Sequence, residues 1–179
     1  MPTVKKPKWT AEQIKEHTKK ILDFVERQKK ENKYENFTGI TQQEIGNKFN
    51  RINSPMIVSQ SWSGSTTPGG TINYNLGIYN PDTGTSIWMF AHVWIGSGNV
   101  DPVTGTFLSN VDTRFPRLTQ PGFAGLTLAS GASAILNYSL KVPATAEKTN
   151  YLGNSCLMKF NWHDIGTYLD RSVFVFAVT

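Results

Sequence analysis

The stretch Thr71-Ile-Asn-Tyr-Asn-Leu-Gly-Ile78 decides the fold, because large apolar side chains alternate along it with polar or small ones. Successive side chains of a β-strand point to opposite faces, so the alternation predicts a strand with one buried face. The same period recurs along the chain, and Pro- and Gly-rich turns separate the runs. About seven strands are predicted in this way: Met56–Trp62, Thr71–Asn80, Ser86–Ile95, Thr106–Asn110, Leu126–Leu128 continuing into Ala132–Lys141, Asn154–His163 and Ser172–Val178.

No helical periodicity interrupts these runs, which excludes a parallel β-α-β architecture. Hydrophobic residues make up 39% of the 179 residues and charged residues 17%, a composition typical of a globular rather than a disordered chain. We therefore predict a mainly β protein, with an immunoglobulin-like antiparallel β-sandwich over residues 54–179.

Two segments of this region carry a family resemblance. They read Pro68-Gly-Gly-Thr-Ile-Asn-Tyr-Asn-Leu-Gly-Ile-Tyr-Asn80 and Leu128-Ala-Ser-Gly-Ala-Ser-Ala-Ile-Leu-Asn-Tyr-Ser-Leu-Lys-Val-Pro143. Both resemble strands of the bacterial immunoglobulin-like modules, the CARDB-type and fibronectin type III-like repeats. The resemblance covers residues 56–178 and implies the sandwich fold, but a fold of this kind does not identify a function.

The excess positive charge lies entirely in the first 53 residues. Residues 1–53 contain twelve Lys or Arg and seven Asp or Glu, whereas residues 54–179 contain six of each, which accounts for the net charge of +5. The chain is therefore predicted to have a basic helical head over residues 1–53. The head ends before Pro55, because a residue that precedes proline is driven out of the helical region.

Two capping boxes predict two helices in the head, at about residues 11–32 and 42–52. Thr10 with Gln13, and Thr41 with Glu44, have the spacing at which the two side chains cap each other's backbone N–H groups. Four apolar residues of the first helix recur at helical spacing and form a docking stripe: Ile14, Ile21, Leu22 and Val25.

The predicted strands Ser86–Ile95 and Ser172–Val178 are apolar on both faces. An immunoglobulin-like strand order makes them strands C and G, in one sheet with strand F at Asn154–His163. A sandwich buries only one face of each sheet, so the second face is expected to meet the head, another subunit or a ligand. We place this interface or ligand platform at six residues: Trp88, Phe90, His92, Trp94, Phe174 and Phe176. The strand Ser86–Ile95 is also the expected docking place of the head's apolar stripe.

Candidate catalytic chemistry is sparse. The single cysteine, Cys156, alternates with Met158 and Phe160 and is interpreted as a buried core residue. The cluster Trp162-His163-Asp164, with Asp170 or Arg171 nearby, is the local group suited to acid–base work. His163 lies seven residues from Cys156 on one predicted strand, so the two side chains point to opposite faces and do not form a nucleophile pair. We predict no enzyme activity, no cofactor and no metal site.

The favoured hypothesis is a structural or assembly protein, whose sandwich associates with a protein partner or with itself and whose head tethers or docks it. A component of a viral or bacterial particle would suit these features. One alternative is a carbohydrate-binding or ligand-binding module that stacks sugar rings on Trp88 and Trp94.

The other alternative is nucleic-acid binding through the basic head. The segment Thr41–Phe49 resembles the first helix of helix-turn-helix repressors, although a strand pattern follows where a recognition helix is required. The candidate phosphate contacts are five lysines: Lys5, Lys6, Lys8, Lys19 and Lys20. No signal-peptide pattern precedes the head and no apolar run is long enough to span a membrane, so we expect a cytoplasmic or particle-assembled protein unless a leader has been removed.

Overall fold

The computed structural model describes residues 9–51, 55–82, 87–95, 122–159 and 167–179. These residues form two helices and nine strands, in chain order α1 (Ala11–Glu31), β1 (Asn36–Gly39), α2 (Gln42–Arg51), β2 (Met56–Trp62), β3 (Ser65–Thr66), β4 (Thr71–Tyr79), β5 (Ile87–Ile95), β6 (Gly122–Leu128), β7 (Ser133–Lys141), β8 (Asn150–Lys159) and β9 (Thr167–Val178). Sheet A has the strand order β1-β2-β4-β7, and sheet B has the order β3-β9-β8-β5-β6.

The predicted immunoglobulin-like sandwich is confirmed. Neighbouring strands are antiparallel except for the two-residue β3, which runs parallel to β9. The strands predicted as C, F and G are β5, β8 and β9, and they lie side by side in sheet B as expected. The predicted strand Thr106–Asn110 lies outside the described residues.

Two features of the strand pattern differ from the prediction. The run from Leu126 to Lys141 is not one strand, because β6 belongs to sheet B and β7 to sheet A. The chain passes between the sheets at Gly131, whose φ of 70° is in the left-handed region that glycine adopts freely. The short strands β1 and β3 were not predicted, since runs of four and two residues show no clear alternation.

The main core lies between the two sheets and is built from alternate residues of each strand. Sheet A contributes Ile72, Tyr74, Leu76 and Ile78 of the deciding stretch, all at 0% exposure. Sheet B faces them with Met89, Ala91, Val93, Leu157, Phe174 and Phe176.

Both predicted helices are present, and both capping boxes are formed. Thr10 Oγ1 accepts a hydrogen bond from Gln13 N at 3.1 Å, and Gln13 Oε1 accepts one from Thr10 N at 2.8 Å. At the start of α2, Thr41 and Glu44 make the same reciprocal pair. Among the described residues, no helix is long and apolar enough to cross a membrane.

The helices form a third layer on the outer face of sheet A. Ile21, Phe24 and Val25 of α1 and Ile45 and Phe49 of α2 are buried. They share a second core with residues of β2 and β4: Met56, Val58 and Tyr79. The expectation that the head docks on the strand Ser86–Ile95 is corrected, because its apolar stripe packs on sheet A rather than on β5 of sheet B. Every residue of β2 is consequently buried, having the helices on one side and sheet B on the other.

Glycines in sheet A make room for α1. A Cβ on Gly39 would lie 2.4 Å from Val25 Cγ1, and a Cβ on Gly77 would lie 2.1 Å from Ser59 Oγ and 3.2 Å from Phe24 Cε1. Side chains at these positions would push α1 away from the sheet. The strand sequence is therefore adapted to a docked helix, and the contact is built into the fold.

Candidate association surface

The last strand, β9, presents two different faces. Phe174 and Phe176 are 3% and 0% exposed and lie in the core between the sheets. Val173 and Val175 lie on the opposite face and are 48% and 59% exposed. The assignment of Phe174 and Phe176 to an interface platform is therefore corrected, since it is the valines of β9 that reach the surface.

The orientation of β9 is explained by what its aromatic residues contact. The Phe174 ring stacks on Tyr74, with 4.6 Å between the ring centroids and an interplanar angle of 13°, and also contacts Trp62 at 5.1 Å. It lies directly over Gly153, where an added Cβ would come within 2.1 Å of the ring. Inward burial of Phe174 satisfies these contacts, which leaves the valines outside.

The free edge of β9 is capped by side chains from sheet A. Strand β3 pairs with β9 only at Ala177 and Val178. Further along the edge, Gln60 Nε2 donates to the Val173 carbonyl at 2.9 Å and Trp62 Nε1 donates to the Val175 carbonyl at 3.1 Å. These carbonyls are already satisfied, which discourages addition of a further strand to this edge. The side-chain face of β9 is therefore more accessible to another molecule than its backbone edge.

A buried polar chain holds Gln60 in position. Tyr74 Oη donates to Gln60 Oε1 at 3.0 Å and accepts from Ser155 Oγ at 3.1 Å, and Ser155 Oγ also lies 3.3 Å from the Ser172 carbonyl. Burial raises the pKa of Tyr74 far above its ordinary value, so this hydroxyl remains protonated. The chain of hydrogen bonds ties sheet A to β8 and β9 beneath the valines.

An ion pair joins the helical layer to the start of the exposed strip. Lys48 of α2 contacts Asp170 of β9, whose Oδ2 also accepts the Ile57 N–H at 2.9 Å. Asp170 Oδ1 accepts the Arg171 N–H at 2.9 Å, and Lys48 Nζ donates to the Ile57 carbonyl at 2.9 Å. Asp170 is 4% exposed, so its carboxylate is buried and fully engaged. This role is structural and differs from the acid–base role considered for Asp170.

A cleft of about 620 Å³ opens beside this ion pair. Its walls include Glu44 and Lys48 of α2, Ser59 of β2, and Arg171 and Val173 of β9. Its charged lining residues are Glu44, Lys48 and Arg171, and Lys48 is already paired with Asp170.

The remaining platform residues belong to β5. In the backbone register, Phe90 pairs with Met158, His92 with Cys156 and Trp94 with Asn154. The side chains of Trp88, Phe90, His92 and Trp94 lie outside the described residues. The platform prediction for these four residues remains a prediction.

Cys156 is buried at 2% exposure, as predicted, and burial raises the pKa of its thiol to about 12. It lies on the face of β8 opposite Leu157, rather than in the core between the sheets. A thiol with so high a pKa is protonated at neutral pH and is a poor nucleophile. His163 and Asp164, the candidate acid–base residues, lie outside the described residues.

The head residues are divided between a core and a surface. In the docking stripe, Ile21 and Val25 are buried, and Ile14 and Leu22 are half-buried against the same core. Lys19 and Lys20 are exposed, and Lys20 lies 3.6 Å from Glu16 of the preceding turn. Lys5, Lys6 and Lys8 lie outside the described residues. Within the described part of the chain, no group of three or more His, Cys, Asp or Glu side chains is arranged to hold a metal ion.

Sequence reasoning missed Val173 and Val175 because strand β9 is apolar on both faces. A signal was nevertheless present in Gly153, which the antiparallel register places opposite Phe174. A glycine inside a strand indicates the close approach of a neighbouring group. That neighbour is the inward ring of Phe174.

No protein-family model matches the chain, and no curated protein matches it. Solved structures share its architecture only distantly. The C-terminal domain of Wzt matches with a TM-score of 0.47 and 13% identity, over 83% of this chain and 80% of that one. A CARDB domain from Pyrococcus furiosus, solved with two metal ions, matches with a TM-score of 0.41 and 11% identity, over 70% and 86%.

The sporulation control protein Spo0M from Bacillus subtilis matches with a TM-score of 0.44 and 10% identity, over 71% of this chain. The chain spans 50% of Spo0M and only 14–16% of several matched glycosidases. These matches extend to the β-sandwich fold alone.

Proposed function

We propose that this protein is a non-enzymatic assembly module that associates with further copies of itself through the outer face of β9. The observation that carries the proposal is the exposure of Val173 and Val175. Among the described residues they are the large hydrophobic side chains left exposed, and they are adjacent on one face of one strand. Burying apolar area of this kind favours association.

A second copy is the partner that best fits this surface. Residues 54–179 carry six positive and six negative side chains, so two sandwiches have no net charge to repel each other. A two-fold axis through β9 would place the valines of each copy against those of the other. Neutral valines offer no charged partner an electrostatic advantage.

The test measures mass in solution. Light scattering after size-exclusion chromatography is expected to show a species larger than 20.0 kDa, the mass of one chain. If the copies assemble into a larger particle rather than a dimer, the measured mass will exceed that of two chains.

The variant Val173→Lys/Val175→Lys is expected to reduce this species to a monomer, because two lysines would repel their counterparts across the interface. The matched control is Asn137→Lys, which adds a charge at an exposed strand position of sheet A. A wild-type monomer at all concentrations, or an oligomer that survives the double substitution, would contradict the proposal.

A further inference from the structure

A groove lies between the two helices, and none of the described residues fills it. It has a volume of about 570 Å³, and no strand residue lines it. Three α1 residues at four-residue spacing, Ile14, Thr18 and Leu22, lie along it, opposite Gln42 and Gly46 of α2. It extends from Ala11 to Asp23, which is about 18 Å at the helical rise per residue.

Three of the α1 residues that line the groove, Ile14, Thr18 and Leu22, present no unsatisfied polar group to it. Ile14 and Leu22 are half-buried, with their remaining surface directed away from the core that they help to form. The Thr18 hydroxyl donates to the Ile14 carbonyl at 2.6 Å, so its hydrogen is already used within α1. An apolar side chain placed here would leave no donor of Thr18 unsatisfied.

Gly46 is the feature that the chain's own packing does not explain. A Cβ on Gly46 would meet nothing within 4 Å, in contrast to Gly39 and Gly77, where neighbouring side chains occupy that space. Glycine within a helix is less favourable than alanine by about 1 kcal/mol. A position that tolerates this penalty without an internal neighbour is suited to the close approach of an external one.

The charge on the rim indicates which partner fits. Lys15 and Lys19, one turn apart on α1, are exposed along the groove, and Asp23 is the single acidic residue that lines it. Lys20, which pairs with Glu16, lies outside the groove. The rim therefore carries a net positive charge and complements acidic side chains.

We propose that this groove binds an amphipathic α-helix of another protein, with its apolar face over Gly46 and acidic residues against Lys15 and Lys19. A helix of about three turns matches the length of the groove, and helices pack at distances of about 8–10 Å when small residues lie at the contact. This surface is separate from the valines of β9, so it would recruit a second protein to an assembled one.

The test uses two fluorescent model helices and fluorescence anisotropy. Both peptides carry leucines at helical spacing; one has glutamates flanking them and the other has lysines. The full chain is expected to bind the glutamate peptide and not the lysine peptide. Lys15→Glu/Lys19→Glu is expected to reverse this preference.

The variant Gly46→Phe fills the groove and is expected to weaken binding of the glutamate peptide at least tenfold. Gln43→Phe, at an exposed position of α2 outside the groove, is the matched control and is expected to bind as the wild type does. Circular dichroism melting verifies that each variant is folded. Failure of the glutamate peptide to bind, equal binding of both peptides, or unchanged binding to Gly46→Phe would each overturn the proposal.

Discussion

The outer face of sheet A and the β9 edge of sheet B differ in how far the chain itself covers them. The outer face of sheet A is covered by α1 and α2, and glycines at positions 39 and 77 allow the side chains of α1 to reach the strands. Sheet B, at its β9 edge, presents two valines to solvent. Helices of the same chain cover the outer face of sheet A, and we propose that another copy covers the exposed valines of sheet B.

An ion pair also attaches the helical layer to sheet B. Lys48 of α2 reaches past β2 to Asp170 of β9. Lys48 Nζ donates to the Ile57 carbonyl, and Asp170 Oδ2 accepts the Ile57 N–H. Together with Gln60 and Trp62, this pair makes β2 the strand through which all three layers are connected.

The largest expected effect on stability comes from removing the ion pair between Lys48 and Asp170. Asp170→Ala would leave the Lys48 ammonium and the Ile57 N–H without their buried acceptor, so the free energy of unfolding is expected to fall by about 3–5 kcal/mol. Urea denaturation measures the change. Glu147→Ala, which removes an exposed carboxylate, is the control. A loss for Asp170→Ala no greater than that of the control would show that the ion pair does not anchor the helical layer.

The next largest effect on stability compares Gly77, which the packing of α1 requires, with Gly46, which it does not. Gly77→Ala places a methyl group against Ser59 and Phe24 and is expected to reduce the free energy of unfolding by about 1–3 kcal/mol. Gly46→Ala is its matched control, because the added methyl group meets open space and improves helix propensity by up to about 1 kcal/mol. The unfolding temperatures of the two variants should move in opposite directions. A Gly77→Ala variant as stable as the wild type would mean that α1 does not pack on Gly77.

Acidic pH is expected to weaken the packing of the helices on sheet A. His17 Nδ1 of α1 lies 2.6 Å from Tyr79 Oη of β4, and the His17 ring stacks on Phe49 of α2. Burial, with a further contribution from Lys20, lowers the pKa of His17 below its ordinary value of 6.5, while Glu16 opposes the shift. Tyr79 stays protonated, since burial raises its pKa to about 12.

The sign of the pH dependence follows from the lowered pKa. The folded chain favours neutral His17, so this contribution to stability is complete above the unfolded-state pKa and is lost as the pH falls through the folded-state value. The variant His17→Phe keeps an aromatic ring at this position but removes the titrating imidazole. Urea denaturation across this pH range should show a smaller loss of stability for His17→Phe than for the wild type; identical pH profiles would count against the assignment.

The smallest effect on stability is expected for a substitution at the exposed valines of β9. Val175→Thr exchanges a β-branched side chain for a more polar one of similar shape at a position 59% exposed, so the monomer's free energy of unfolding should change by no more than about 0.5 kcal/mol. Thermal unfolding at low protein concentration measures this. A large destabilisation would mean that Val175 packs within its own chain.

The sequence predicted the elements of the fold better than their contacts. The capping boxes located both helices, and the alternation in Thr71–Ile78 located a strand whose apolar residues are all in the core. These signals depend on neighbouring residues in the chain, which is why they can be read without a structure.

The contacts were harder to predict because several strands are apolar on both sides. Periodicity alone does not decide whether the phenylalanines or the valines of β9 face inward, since that choice depends on Tyr74 and Gly153 of other strands. The same ambiguity placed the docking of the head on β5 instead of β2. Gly77 of the deciding stretch was the available indication that a helix would lie against that strand.

Hydrogen exchange at two protein concentrations tests the contrast between the faces most directly. Amides of α1 are expected to be equally protected at about 1 µM and at about 100 µM, whereas amides of β9 around Val173 and Val175 are expected to exchange more slowly at the higher concentration, where mass action favours association. Unprotected α1 amides at both concentrations, or protection of β9 that does not depend on concentration, would contradict this expectation.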